Sequence, residues 1–153
     1  MSENNSPEVN HRQLAVDLFN LTWDYLEKQR TEEDDFQMVL IAHASCYHWS
    51  QCGTALEQAR GEWIISRVHA VLKQGEIALW HAQRSLNLCL EHNFGGFDLS
   101  FGYEAVARAN ACLGKTAEMN AALQMARETA NLITDDGERE YTLGEINSIS
   151  KST

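Results

Sequence analysis

Proline occurs once in the 153 residues, at Pro7, and the chain is free of it from residue 8 onward. Proline removes a backbone donor and clashes with the preceding helical turn, so its near absence leaves long helices unobstructed. Glycine is sparse too, with nine residues in all. Together with alanine-rich stretches, these shortages point to an all-α chain. No apolar run approaches the ~20 residues that a membrane-spanning helix requires, so no membrane partner is expected. The first residues, MSENNSPEVNHRQ, lack the apolar core of a secretory signal, and a cytoplasmic protein is the expectation.

Positive charge is also in short supply. The chain has 12 Lys and Arg against 22 Asp and Glu, a formal net charge of -10. The acids gather at the ends: residues 1–35 hold 9 acids and 3 bases, whereas residues 36–134 hold 8 and 7. No basic stripe exists to neutralise phosphates, which argues against a nucleic-acid partner. The four cysteines, Cys46, Cys52, Cys89 and Cys112, form no CxxC pair. They read as small apolar core residues in a reducing compartment. No HExxH, ExxH or His/Cys cluster at ligand spacing is present. His43 and His48 are five apart, about 140° around a helix, and do not converge on one ion. No metal and no cofactor is expected. The serines lack a nucleophile elbow, so no catalytic residue is assigned.

What the sequence does have is helical periodicity. Apolar residues recur at three- and four-residue steps from Val9 to Gln29. Thr31 with acids behind it reads as an N-cap for a second helix over 32–52, ended by Gly53. Its Phe36, Val39, Leu40, His43 and Tyr47 share one face. Thr54-Ala55-Leu56-Glu57 has the form of a capping box and opens a third helix, which Gly75 should stop. A fourth helix over 76–93 carries a ridge of small residues, Ala78, Ala82, Ser85 and Cys89. Asp98 or Ser100 should cap a fifth helix ending at Gly114. Thr116 opens a sixth, and Asp136 caps a short seventh through Ile149. A 39-residue shift superposes Gly75 on Gly114 and Ala70 on Ala109, near the period of helical solenoids. A single domain over 9–149 is expected, with tails at 1–8 and 150–153.

Tyr103, Ala107, Gly114, Met119, Leu123 and Ala126 are spaced like the signature positions of a tetratricopeptide repeat (TPR), with Met119 in place of the usual alanine. The strings AHASCYHW, RGEWIISRV, ALWHAQRSL and FDLSFGYEAVARA are similar to an uncharacterised bacterial family of TPR-like proteins. The resemblance implies a TPR-like right-handed α-α superhelix of about seven helices: three antiparallel hairpins and a C-terminal capping helix. It implies no chemistry.

Polar and aromatic side chains concentrate mid-chain beyond what a helical core needs. The candidates for a binding site are His43, His48, Trp49, Trp63, Arg67, His81, Arg84, Tyr103, Glu104 and Arg108. Solenoids bind on the face formed by the first helix of each pair, which selects Trp63, Arg67, Tyr103 and Arg108, with arginine pairing a carboxylate. Glu104 and Arg108 form a surface pair or, if they face inward, take Arg67 or Asp98 as partner. The leading expectation is a non-catalytic module for a peptide or protein partner. The alternative is a small-molecule-binding protein or enzyme in which His43, His81 and Glu104 surround a pocket. Phe19, Trp23 and Leu26 exceed what one helix can bury, so a homodimer is expected as well.

Overall fold

The computed structural model describes residues 7–149, so the expected tails lie outside the described residues except for Pro7 and Glu8. Within them are seven helices and no strand. They are α1 (His11–Glu27), α2 (Glu32–Cys52), α3 (Ala55–Val71), α4 (Gly75–Glu91), α5 (Gly96–Cys112), α6 (Thr116–Ala130) and α7 (Asp136–Ile149). None is long and apolar enough to cross a membrane.

Capping chemistry sets the clearest boundaries. At α2 the Thr31 hydroxyl accepts the Asp34 amide at 3.2 Å, and the Asp34 carboxylate accepts the Thr31 amide at 2.9 Å. The Glu57 carboxylate accepts the Thr54 amide at 2.7 Å before α3. Elsewhere the turns differ from expectation. Gly75 does not stop α3; it is buried as the first residue of α4. The left-handed residue in that turn is Lys73, with φ 62°. Gly75 is small because a Cβ there would stand 2.8 Å from Leu113 Cγ. Neither Asp98 nor Ser100 caps α5, which begins two residues ahead of Asp98, after Gly95. Asp98 instead takes a two-pronged contact from Arg60 at 2.8 and 3.2 Å. Ser100 is buried and donates to the Ala126 carbonyl at 2.9 Å.

Consecutive helices pack as neighbours, and α1, α3, α5 and α7 also form a row of close backbone approach, whereas α2, α4 and α6 approach one another only through side chains such as His43 and His81. Helices α3 and α5 are therefore the most enclosed, and they bury polar side chains as well as apolar ones. A buried serine hydroxyl crosses each hairpin: Ser45 to the Ala15 carbonyl and Ser85 to that of Ala59, each at 2.8 Å, and Ser100 to that of Ala126. The small ridge of α4 is buried as expected. The face of α2 is not the expected one. Met38, Ala42, Ser45 and Trp49 are buried, while Phe36, Leu40 and Tyr47 are exposed. Small residues at 42 and 45 let α2 approach its neighbours, which larger side chains at 36, 40 and 47 would prevent.

The internal register is 41 residues rather than 39. Ala55 and Gly96 begin α3 and α5, and Gly75 and Thr116 begin α4 and α6, each pair 41 apart. This register lays Lys73 on Gly114, the two left-handed turn residues, and Arg67 on Arg108. It lays Ala59 on Ser100 and Ser85 on Ala126, so the serine-to-carbonyl bond recurs with its roles exchanged. The 39-residue shift fails because Gly75 serves packing and Gly114 serves the turn.

Phe19, Trp23 and Leu26 of α1 each meet apolar groups inside the chain. Trp23 lies on Trp63 with ring centroids 5.6 Å apart, and Leu26 joins the cluster around Met38 and Ile65. Phe19 lines a small cavity of about 80 Å³ with Trp63, Phe97 and Phe101. These contacts leave Phe19, Trp23 and Leu26 half-buried, and Leu14, Val16 and Leu21 of the same helix are exposed. Among the cysteines, Cys89 is buried and Cys46 and Cys112 are half-buried, all without disulfides; Cys52 is exposed and is no core residue.

Candidate functional site

The row α3, α5 and α7 carries a buried ionic cluster. Glu104, on α5, has no solvent exposure. Its Oε1 accepts from Arg67 Nη1 at 3.1 Å and from Arg108 Nε at 2.8 Å, and its Oε2 accepts from Trp63 Nε1 at 3.0 Å. A carboxylate withdrawn from water requires such donors, and here it has three. Arg67 reaches on to Glu145 Oε2 at 3.1 Å, and Arg108 to the Glu145 carbonyl at 3.3 Å and the Ser148 hydroxyl at 3.2 Å. Of the two partners expected for an inward Glu104, it is Arg67 that supplies the charge. Beside this cluster, at the ends of α3 and α5, is a hollow of about 210 Å³. Arg67, Lys73 and Arg108 line it over a floor of Ala70, Val71 and Ala111.

A second cluster lies between α2, α3 and α4. His43 Nε2 stands 2.9 Å from His69 Nε2, and His69 Nδ1 stands 2.6 Å from Gln74 Oε1. His81 Nδ1 contacts Glu62 Oε2 at 2.5 Å, and Arg84 Nε donates to Glu62 Oε1 at 3.0 Å. The ring centroids of His43 are 5.2 Å from those of His69 and 5.5 Å from those of His81. Burial lowers the proton affinity of His43, and the neighbouring His69 and His81 lower it further. Burial also lowers that of His69, against the bond to Gln74. For Glu62, burial pushes the carboxyl up, but the bonds from His81 and Arg84 outweigh it and hold it below its ordinary value. Among the described residues no group of three or more His, Cys, Asp or Glu is arranged to hold a metal ion.

The remaining candidates lie elsewhere. His48 Nδ1 meets His11 Nδ1 at 2.9 Å beside Tyr47. Trp49 is buried, with the Arg12 guanidinium 5.3 Å from its ring. Tyr103 does not join Trp63, Arg67 and Arg108. It points into the cleft between α4 and α6, with Leu79, Leu86 and Met125, because one residue's step from Glu104 turns it about 100° around α5. Glu104 likewise does not meet His43 or His81, so the three surround no common pocket. Glu62, Gln74 and Glu145 were not among the expected site residues: two charged helix residues and one polar residue of the α3–α4 turn, they look like surface until the helices are packed. The 41-residue register is the signal that would have found Glu145, as the counterpart of Glu104.

Compared with protein-family models, with curated proteins and with solved structures, the chain matches none.

Proposed function

We propose that this chain is a non-catalytic, TPR-like binding module that receives an acidic peptide segment on the face formed by α1, α3, α5 and α7. The observation that carries the reading is the hollow of about 210 Å³ lined by Arg67, Lys73 and Arg108. The two guanidinium groups, of Arg67 and Arg108, are held in place by Glu104 and Glu145, so little side-chain freedom is lost when an anion arrives. The Lys73 ammonium has no ion-pair partner among the described residues and supplies charge that the glutamates do not offset. Ala70, Val71 and Ala111 offer an apolar floor for the side chain next to the acid. The row of contacting odd-numbered helices and the 41-residue register support the superhelical reading. A catalytic reading has less support, because both oxygens of Glu104 are engaged by the protein and none is presented to a substrate.

The test is fluorescence anisotropy with labelled peptides that differ only in Asp/Glu content and in a free or amidated C-terminus. Acidic peptides bind the native protein at low salt and weaken as salt rises. Lys73→Ala lowers their affinity several-fold without changing the thermal midpoint. Equal binding of neutral peptides, or indifference to Lys73→Ala, would overturn the reading.

A further inference from the structure

His43 and His69, on two different helices and away from the arginine-lined hollow, face each other through like nitrogens. We infer that His43 and His69 are a chelating pair for a divalent transition-metal ion of the imidazole-preferring class, Zn2+ foremost, with water completing its coordination.

The two Nε2 atoms are 2.9 Å apart. Zinc–nitrogen bonds of about 2.0–2.1 Å at a tetrahedral angle separate two ligating nitrogens by about 3.3 Å. The ion therefore needs the rings to part by a few tenths of an ångström and to tilt until both Nε2 lone pairs converge on one point beside the N–N line. The second nitrogen of His69 is already oriented. The Gln74 amide oxygen at 2.6 Å takes the Nδ1 proton, which leaves the Nε2 lone pair directed at His43. In the metal-free pair His43 then supplies the shared proton from its own Nε2. The ion takes the place of that proton, which moves to Nδ1 of the same ring, so both imidazoles remain neutral ligands.

Ligand type selects the metal. A pair of imidazoles with no carboxylate or carbonyl between them suits Zn2+, Cu2+ or Ni2+ and not Mg2+ or Ca2+. The third ring, His81, is tied through Nδ1 to Glu62 and remains outside the ligand set, while the Glu62 carboxylate contributes negative charge nearby. His69 is almost wholly buried and His43 half-buried, so both are held by packing before any ion arrives.

The experiment is thermal unfolding in ZnCl2 against EDTA for the full chain and for His43→Gln, His69→Gln and His48→Gln. The native protein and His48→Gln gain several degrees in Tm with ZnCl2, and the other two variants gain none. MgCl2 moves none of them. Because His69→Gln alters a buried site, the native protein is also titrated with ZnCl2 while imidazole nitrogens are followed by NMR. The Nε2 signals of His43 and His69 move together; those of His11 and His48, whose Nδ1 atoms are also 2.9 Å apart but which have no orienting bond like that of His69 to Gln74, do not. A native protein whose Tm and imidazole signals ignore ZnCl2 would overturn the inference. So would a Zn2+ shift that survives in His43→Gln or is lost in His48→Gln.

Discussion

Arg67 Nη1 stands 3.1 Å from Oε1 of the buried Glu104 carboxylate, and a longer arginine–glutamate pair recurs one register further on. Arg108, 41 residues after Arg67, donates to the backbone carbonyl of Glu145, which is 41 after Glu104, and stands 3.9 Å from its carboxylate. Helices α3, α5 and α7 are thus joined by a short ladder of arginine to glutamate. Removing the buried rung leaves two guanidinium groups short of a partner. Glu104→Gln should cost about 3 kcal/mol of stability, and Glu145→Gln under about 1 kcal/mol because that carboxylate is partly solvated. Urea unfolding measures both; equal losses would show that burial does not govern the ladder.

Arg67→Ala and Glu104→Gln share an interaction, so their effects should not add. A double-mutant cycle is expected to give a coupling of about 1–3 kcal/mol. The fold survives Arg67→Ala, since Arg108 and Trp63 still bond Glu104. Strict additivity in the cycle would mean that the contact contributes nothing net.

The turn glycines should separate by mechanism. A Cβ at Gly75 meets Leu113 at 2.8 Å, so Gly75→Ala should cost about 1–3 kcal/mol by overpacking. Gly114 has φ 68° and open space around it, so Gly114→Ala costs only backbone strain, about 1 kcal/mol. Lys73, at φ 62° in the equivalent turn, carries that strain already, and Lys73→Gly should stabilise by about 0.5–1 kcal/mol. Thermal midpoints decide all three, and a stabilised Gly75→Ala would refute the close-approach account.

Thiol reactivity should follow burial. Cys52 is exposed, whereas burial pushes the Cys46 thiol up to about 12 and the Cys89 thiol to about 11. Thiolate is the reacting species, so at pH 8 a disulfide reagent should label Cys52 first and leave Cys46 and Cys89 untouched until the chain unfolds. Prompt labelling of Cys46 by mass spectrometry would contradict its placement against Glu62.

The serine bridges offer a test of the hairpins. Ser45→Ala, Ser85→Ala and Ser100→Ala each remove one buried hydroxyl bond to a helix carbonyl on the partner helix. Each should cost about 1 kcal/mol, because the carbonyl stays in its own helix and only the bridging bond is lost. A loss near zero at Ser85 and Ser100 alike would mean that the repeated bridge is incidental to packing.

The sequence by itself determined the local structure. Helix composition, the Thr31 and Thr54 caps, the stop at Gly53 and the small ridge of α4 depend on neighbours within a few residues, and each stands where it was expected. The pairing of an inward Glu104 with Arg67 was legible as one of two options, because an i,i+4 charge pair on a largely apolar helix needs company if it is buried. Tertiary structure decided the rest. Phe36, Leu40 and Tyr47 are more apolar than Ala42 and Ser45, yet α2 buries the small residues, since the distance between packed helices sets side-chain size at the contact. Gly75 exchanged its expected role for one set by Leu113, a residue from another hairpin. His43 and His69 are 26 residues apart and share no motif; only the crossing of α2 over α3 brings their nitrogens to 2.9 Å. Contacts within one helical turn are encoded by spacing, whereas contacts between helices depend on the rotation of each helix about its axis, which the whole core sets at once.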